Sequence, residues 1–229
     1  MTTAMNRVLQ PGDEAPSFAL PAVNRDGMVA LDDYRGKGAV LVGLFRGLHC
    51  PFCRRQVVQL GLTRDKLANE GVETVAIVNT APERARQYFQ YRPTRVLLAA
   101  DPEVRTHQAF GLPEIGFVPD GTNPAELHWP ERTTMAQFLA GRFNPTGELP
   151  EPQSIPQAME TLNRKDGFEP SEVDQQMAAA HPGQLTGHFL IDAQGTIRWS
   201  RVEGKGGSND LLGFPSDGDI LAAVAAMLH

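Results

Sequence analysis

Short apolar runs alternate with amphipathic stretches through the first half of the chain. Residues 39–45, AVLVGLF, are almost wholly apolar, which is typical of a strand covered on both faces in a parallel sheet. Residues 50–71 follow at once, and their apolar positions recur at helical spacing up to a stop at Gly71. The pattern therefore predicts a strand that runs directly into a helix.

The same pattern repeats further along the chain. Residues 72–79 predict a second strand, and residues 80–92 predict a helix that begins with Thr80 and Glu83 at the spacing of a capping box. Residues 95–111 predict a shorter strand and a shorter helix. This alternation indicates an α/β fold with a mostly parallel sheet and helices on both faces.

Two hairpins frame this unit. Turn-rich segments around short apolar runs near the start predict an N-terminal β-hairpin, and residues 187–202 predict a closing hairpin around the turn DAQG. Residues 219–228 predict a final helix. The sequence thus predicts a central mixed β-sheet flanked by helices in three layers.

Residues 113–183 interrupt the pattern. Prolines are frequent there, apolar runs are short, and only residues 134–143 and 171–180 have a helical pattern. Their apolar content is thin for an independent core, so we interpret this stretch as an insertion or lid within a single domain spanning residues 1–229.

The charge balance narrows the choice of partners. The 229 residues carry a formal net charge of −6, which argues against a nucleic acid or an anionic membrane as partner. The start has no apolar core of signal-peptide length, and no stretch approaches the ~20 apolar residues of a membrane helix. We therefore expect a soluble, cytoplasmic protein.

The only two cysteines, Cys50 and Cys53, lie at the predicted junction of strand and helix, in the sequence RGLHCPFCRR. This places Cys50 at the helix N-cap, Pro51 at the first helical position and Cys53 two positions later, so that both sulfurs lie on the first turn. Free N–H groups and the helix dipole favour a thiolate there. The pattern predicts that Cys50 attacks a peroxide or disulfide and that Cys53 resolves the product into a Cys50–Cys53 disulfide.

Several basic residues flank the pair. Arg46 and His49 are candidates for adding positive field at the sulfurs, whereas Arg54 and Arg55 either contribute to that field or point into solvent. His188, which alternates with Phe189 on the closing strand, is predicted on a solvated face rather than beside the site.

Two other interpretations of the pair stay open. A structural zinc ion needs four ligands, and the histidines that would complete the set do not have the usual H-x₃₋₅-H spacing. Those histidines are His107, His128, His181 and His188. Alternatively, the two thiols are unreactive neighbours. The redox interpretation is favoured over both, and it requires no metal, nucleotide or flavin.

With its motifs in this order, the chain resembles proteins of the thioredoxin fold. Among them it resembles the peroxiredoxin-like redoxins of the alkyl hydroperoxide reductase/thiol-specific antioxidant (AhpC/TSA) family. The resemblance is carried by residues 11–45, by CPFC, and by GHFLIDAQGTIRW at residues 187–199. It extends over residues 11–112 and 184–228. It implies a thioredoxin-like three-layer fold with an N-terminal hairpin and a long insertion before the closing hairpin.

The chain departs from the family signature P-x-x-x-T-x-x-C at two positions. Gly43 stands in place of the proline and Gly47 in place of the threonine, while Cys50 matches the peroxide-attacking cysteine. Thr186 stands where that family has an arginine before the closing hairpin, and also where thioredoxins have a cis-proline.

The resemblance implies a thiol-dependent oxidoreductase that reduces peroxides or disulfides. Such an enzyme needs an external thiol reductant, such as a thioredoxin or glutathione system. The resemblance also implies a homodimer. The alternative is a redox-sensing interaction module, in which the Cys50–Cys53 disulfide switches partner binding through the surface of residues 113–183.

Overall fold

The computed structural model describes residues 7–228, and within them the chain forms nine β-strands and seven α-helices. The strands are β1 (Ala19–Pro21), β2 (Met28–Ala30), β3 (Ala39–Phe45), β4 (Val72–Val78), β5 (Leu97–Ala100), β6 (Phe117–Val118), β7 (Thr133–Thr134), β8 (Gly187–Ile191) and β9 (Ile197–Val202). The helices are α1 (Pro51–Asn69), α2 (Pro82–Tyr91), α3 (Arg105–Ala109), α4 (Met135–Ala140), α5 (Ile155–Asp166), α6 (Glu172–Ala180) and α7 (Asp217–Leu228).

A five-stranded mixed sheet organises the fold. Its order is β5-β4-β3-β8-β9, in which β3 runs parallel to β4 and antiparallel to β8. The two predicted hairpins are present as β1–β2 and β8–β9. The α/β fold class predicted from the sequence is confirmed, and β3 occupies the centre of the sheet.

Both faces of β3 are covered. Leu41 and Phe45 belong to a core on one face, where α1 and α7 pack. Val40 and Leu44 belong to a second core on the other face, which includes Phe110. Burial on both sides explains why the strand is almost wholly apolar, and it fixes the end of β3 in space.

The insertion contains one more helix than the sequence predicted. The prediction of only two helices in residues 113–183 was wrong, because α5 also forms there. Ser154 and Gln157 form a capping box at its start, and Gly167 adopts a left-handed conformation at its end. Leu162 of α5 is fully buried in the core that contains α1, so the insertion is packed onto the sheet domain.

The capping box predicted for α2 is also absent. The helix begins after Ala81, and no side chain caps it. The Thr80 hydroxyl instead accepts a hydrogen bond from the Leu48 N–H at 3.1 Å, which stabilises the loop between β3 and α1. Among residues 7–228, no helix is both long and apolar enough to cross a membrane.

Candidate active site

The junction of β3 and α1 presents the two cysteines. Cys50 is the N-cap of α1 and Pro51 is its first residue, as the sequence predicted. The N–H of Cys53 donates to Cys50 Sγ at 3.3 Å, and the N–H of Cys50 donates to the Gly47 carbonyl at 3.0 Å. Cys50 Sγ therefore occupies the position in which a helix N-terminus stabilises negative charge.

The two thiols are free and buried, but they differ electrostatically. Cys50 is 4% exposed and Cys53 is 1% exposed. Burial raises the pKa of Cys50, but hydrogen bonding from Cys53 and the charge of Arg46 outweigh it and hold that pKa well below its usual value. Burial and the neighbouring Cys50 thiolate raise the pKa of Cys53 well above its usual value. The pair therefore combines a thiolate with a protonated thiol.

Arg46 leaves the end of β3 and lies beside Cys50. Its guanidinium donates to the Gln184 carbonyl at 3.0 Å and to both oxygens of Glu203 at 2.8 Å and 3.0 Å. Burial lowers its pKa, but Glu203 and the two thiols raise it well above the usual value, so the group stays charged. The structure thus brings the predicted Arg46 next to the predicted nucleophile.

Glu203 is a site residue that the sequence analysis missed. It is only 2% exposed and follows β9 directly. Besides Arg46, its carboxylate accepts from the Thr186 N–H and hydroxyl, both at 3.0 Å, and from the Leu212 N–H at 2.7 Å. Arg46 and these hydrogen bonds outweigh the effect of burial and lower its pKa. The one sequence signal was a carboxylate directly after the closing strand.

His49 lines the site as a neutral ring. Burial lowers its pKa more strongly than Cys50 raises it. Its Nδ1 has no hydrogen-bond partner in the described part of the chain. His49 therefore adds a polar edge to the site, and the fixed positive charge beside Cys50 comes from Arg46.

The sequence left open whether Arg54 and Arg55 add to the positive field or point into solvent. In the structure neither side chain points into solvent. Arg54 is buried, lies 3.9 Å from the centroid of the Phe168 ring and donates to Leu48 O and Asp166 Oδ2. Arg55 pairs with Asp166 at 2.7 Å and 2.9 Å. Both residues fasten the first turns of α1 to the insertion.

The prediction that His188 lies on a solvated face was wrong. The residue is buried, and its ring packs edge-on against Phe45 and Phe214, with centroids 5.2 Å and 6.4 Å away. Burial lowers the pKa of His188 to about 4. The ring therefore behaves as a neutral part of the core behind the end of β3.

A cavity of about 180 Å³ opens onto Cys50. Its polar wall contains Arg46, His49, Gln184 and Glu203, and the rest of the wall is mainly apolar. The apolar residues are Phe52, Ile115, Phe138, Ile155, Met159, Ala178, Pro182, Leu211 and Leu212. Most of them belong to residues 113–183, so the insertion forms much of the wall above the nucleophile. In residues 7–228, no group of three His, Cys, Asp or Glu side chains is arranged to hold a metal ion.

The sequence model of the AhpC/TSA family matches residues 11–134, which is more than half of the chain. The chain belongs to the AhpC/TSA family. A stretch covering 45% of the chain is 30% identical to two proteins from Mycobacterium tuberculosis strains, CDC 1551 / Oshkosh and ATCC 25618 / H37Rv, whose names describe them as peroxiredoxins. The match spans 64% of each relative, which is less than two thirds of its length.

Solved structures share the fold of this AhpC/TSA chain. The crystal structure of peroxidoxin BcpB from Mycobacterium tuberculosis aligns with a TM-score of 0.54 at 12% identity, over 96% of this chain and 97% of that one. The reduced 2-Cys peroxiredoxin of Plasmodium vivax aligns with a TM-score of 0.58 at 15% identity, over 96% and 83% of the two chains. The peroxiredoxin-like thioredoxin fold is thereby confirmed.

The two glycines that depart from the AhpC/TSA signature fit their surroundings closely. A Cβ atom on Gly47 would lie 2.1 Å from the Asn79 carbonyl oxygen, so this backbone leaves no room for the family's threonine. Gly43 pairs with strands on both sides, with Ala76 on β4 and His188 on β8, in the middle of β3. A Cβ atom on Gly43 would lie 2.7 Å from Phe45 Cε2, so both the loop at Gly47 and the middle of β3 favour glycine.

Thr186 occupies the position of the AhpC/TSA arginine but has a different environment. It is buried, and its hydroxyl and N–H both donate to Glu203. The guanidinium beside Cys50 comes from Arg46, which donates to both oxygens of the same carboxylate. In this chain the positive charge approaches the sulfur from β3 rather than from β8.

Proposed function

We propose that this protein is a thiol peroxidase in which Cys50 attacks the peroxide, Cys53 resolves the product and Arg46 stabilises the charge that develops. The observation that carries the proposal is a buried sulfur that accepts the Cys53 N–H and lies beside a guanidinium. Membership of the AhpC/TSA family supports a peroxide as the oxidant.

The chemistry follows from the difference between the two thiols. The Cys50 thiolate attacks the distal oxygen of the peroxide, the O–O bond breaks, and the remaining oxygen leaves as water or an alcohol after taking up a proton. Cys50 is oxidised to a sulfenic acid. Arg46 stabilises the negative charge on the leaving oxygen because its own charge is fixed in a buried site.

Resolution uses the protonated thiol. Cys53 keeps its proton while Cys50 is a thiolate, because burial and that neighbouring charge raise its pKa; once Cys50 is a neutral sulfenic acid, the effect of burial remains. When its sulfur attacks the Cys50 sulfenic acid, the S–S bond forms and the hydroxyl leaves with that proton as water. The disulfide then requires two electrons from an external thiol reductant of the thioredoxin or glutathione type, because both protein thiols have been consumed.

Stopped-flow oxidation of the reduced protein tests this proposal. One equivalent of hydrogen peroxide or an organic hydroperoxide should remove both thiols of the wild type at a rate well above that of free cysteine. Cys50→Ser should react at the background rate, whereas Cys53→Ser should react and stop at a sulfenic acid that dimedone traps. A wild-type rate no faster than free cysteine with every peroxide would contradict the proposal. If the protein reacts rapidly with a model disulfide but not with any peroxide, its function is disulfide exchange rather than peroxide reduction.

The redox-sensing alternative has its own test. Arg54 connects the carbonyl of Leu48, next to the cysteines, with Asn163 and Asp166 of the insertion. A sensor would use such a connection to change the surface of residues 113–183 upon disulfide formation. Hydrogen exchange and sedimentation of the oxidised and reduced forms would detect this change, and sedimentation would also test the homodimer that the family resemblance implies.

A further inference from the structure

The disulfide proposed above would form within a single helical turn. Cys50 is the N-cap of α1 and Cys53 is its third residue, so their sulfurs lie on the same first turn. Closing the S–S bond therefore requires no separation of α1 from the sheet. In the reduced protein Cys50 is 4% exposed and Cys53 is 1% exposed.

Only one of the two sulfurs faces open space in this arrangement. The cavity of about 180 Å³ is lined by Cys50 and not by Cys53. Phe138, Ile155 and Met159 of the insertion, together with Leu211 and Leu212 from the loop after β9, surround the approach to it. Any reductant must therefore enter this cavity to reach the disulfide.

The wall of the cavity is fastened to the sheet domain. Asp166 at the end of α5 pairs with Arg54 and Arg55 of α1. On α6, Asp174 has a side chain only 1% exposed and pairs with Arg84 of α2 at 2.7 Å. Breaking a buried ion pair by removing one partner is strongly unfavourable, so these contacts hold the wall in place.

We infer that the external reductant of this protein is a low-molecular-weight thiol rather than a redox protein. The inference rests on the proposed function. A cavity of this size admits the thiol-bearing end of a molecule such as cysteine or glutathione, but not the folded turn that carries the reactive thiol of a protein. The Arg46 guanidinium lies in the wall of the cavity, paired with Glu203, and is therefore not presented on the outer surface where an acidic protein would meet it.

The reduction then runs in two balanced steps. One thiolate attacks Cys50 Sγ, the Cys50–Cys53 bond breaks, and Cys53 leaves and takes up a proton. A second thiol attacks the mixed disulfide, the small-molecule disulfide leaves, and Cys50 returns as a thiolate. Two small thiols are oxidised and one protein disulfide is reduced.

Competing reductants provide the test. The protein is oxidised with one equivalent of hydrogen peroxide, and its reduction is followed with cysteine, with glutathione and with thioredoxin kept reduced by its reductase and NADPH. Insulin, whose disulfides thioredoxin reaches, is treated in parallel. We expect the ratio of the thioredoxin rate constant to the cysteine rate constant to be at least about tenfold lower for this protein than for insulin. A smaller difference would overturn the inference.

A variant with a loosened wall sharpens the comparison. Arg84→Gln removes the partner of Asp174, and Arg164→Gln removes an exposed pair with Glu160 as the matched control. Arg84→Gln should raise the thioredoxin rate constant but leave the cysteine rate constant within about twofold, and Arg164→Gln should change neither. Hydrogen exchange in α6 of the folded Arg84→Gln variant shows whether the wall has been loosened. If exchange increases but thioredoxin reduces the variant no faster than the wild type, the wall is not what keeps thioredoxin from the disulfide. If peroxide fails to remove both thiols at the start, the proposed function fails instead.

Discussion

The Arg46 guanidinium donates two hydrogen bonds to the Glu203 carboxylate, at 2.8 Å and 3.0 Å, and thereby joins the end of β3 to the end of β9 beside Cys50. Both side chains are largely buried, and the same carboxylate accepts from Thr186 and Leu212. A buried charge pair with all its hydrogen bonds made holds its geometry closely. Glu203 is therefore positioned to set the orientation of Arg46 toward the sulfur.

Replacing Glu203 by Gln should slow the peroxidase reaction without abolishing the thiolate. The amide keeps the size of the side chain but lacks the charge that holds Arg46, so we expect the rate constant with peroxide to fall about tenfold to a hundredfold. Removing a negative charge lowers the pKa of Cys50, whereas a displaced Arg46 raises it, so the net change in this pKa should be smaller than in Arg46→Gln. Stopped-flow rates and thiolate absorbance at 240 nm measure the two effects.

Thr186→Val is the matched control for this prediction. It removes one hydroxyl donor to Glu203 and leaves the Arg46–Glu203 pair intact. Its rate constant should stay within about threefold of the wild type. If Glu203→Gln lowers only the unfolding temperature and leaves the rate constant unchanged, Glu203 has a structural role alone.

Replacing Arg46 by Gln should raise the pKa of Cys50 and change the pH dependence of the reaction. The thiolate is the reactive form, so the rate constant rises with pH through the pKa of Cys50 and is flat above it. In the wild type that pKa is held well below its usual value, so the rate reaches its plateau at a lower pH than it would for an ordinary cysteine. In the variant the inflection should move to higher pH.

The loss of Arg46 should also lower the plateau of that profile by about a hundredfold, because the charge on the leaving oxygen is no longer stabilised. Arg64→Gln, which removes a half-exposed arginine further along α1, should change neither the inflection nor the plateau. An unshifted inflection in Arg46→Gln would show that the N-terminus of α1 alone sets the pKa of Cys50.

Restoring the family's threonine at position 47 should damage the protein rather than improve it. A Cβ atom there would meet the Asn79 carbonyl oxygen at 2.1 Å, so Gly47→Ala and Gly47→Thr should each lower the free energy of unfolding by about 2 kcal/mol or more. Denaturant unfolding measures the loss. Gly121→Ala, where the space around the added Cβ is open, should stay within about 0.5 kcal/mol of the wild type. A stable Gly47→Thr protein that reacts faster with peroxide would refute the steric argument.

Local rules sufficed to predict the position of the two cysteines. The apolar run of β3, the proline at position 51 and the spacing of α1 all lie within about thirty residues, and together they place Cys50 at the N-cap. The alternation of strands and helices along residues 39–111 followed from the same kind of periodicity. These features depend on neighbours in sequence, so the sequence alone specified them.

The partners of the site could not be predicted in this way. Arg46 meets Glu203 across 157 positions, and Arg54 meets Asp166 across 112. Thr80 has the local pattern of a cap, but its hydroxyl bonds to Leu48, 32 residues earlier, because the folded loop offers a better-placed donor. Such pairings are set by the packing of distant segments, and no periodicity in the sequence records them.

The two most deeply buried histidines, His107 and His188, should make the protein sensitive to mild acid. Burial lowers the pKa of both His107 and His188 to about 4, from the usual value of 6.5. Between these values the unfolded chain binds protons that the folded chain does not, so stability is full above pH 6.5 and falls as the pH drops toward about 4. Each histidine should contribute up to about 3 kcal/mol to this loss. The His188→Phe variant keeps an aromatic ring against Phe45, and its free energy of unfolding in urea should fall less steeply with decreasing pH than that of the wild type. The control is His128→Gln, at an exposed position, which should follow the wild-type curve. A His188→Phe curve with the wild-type slope would mean that His188 is protonated within the folded protein over this range.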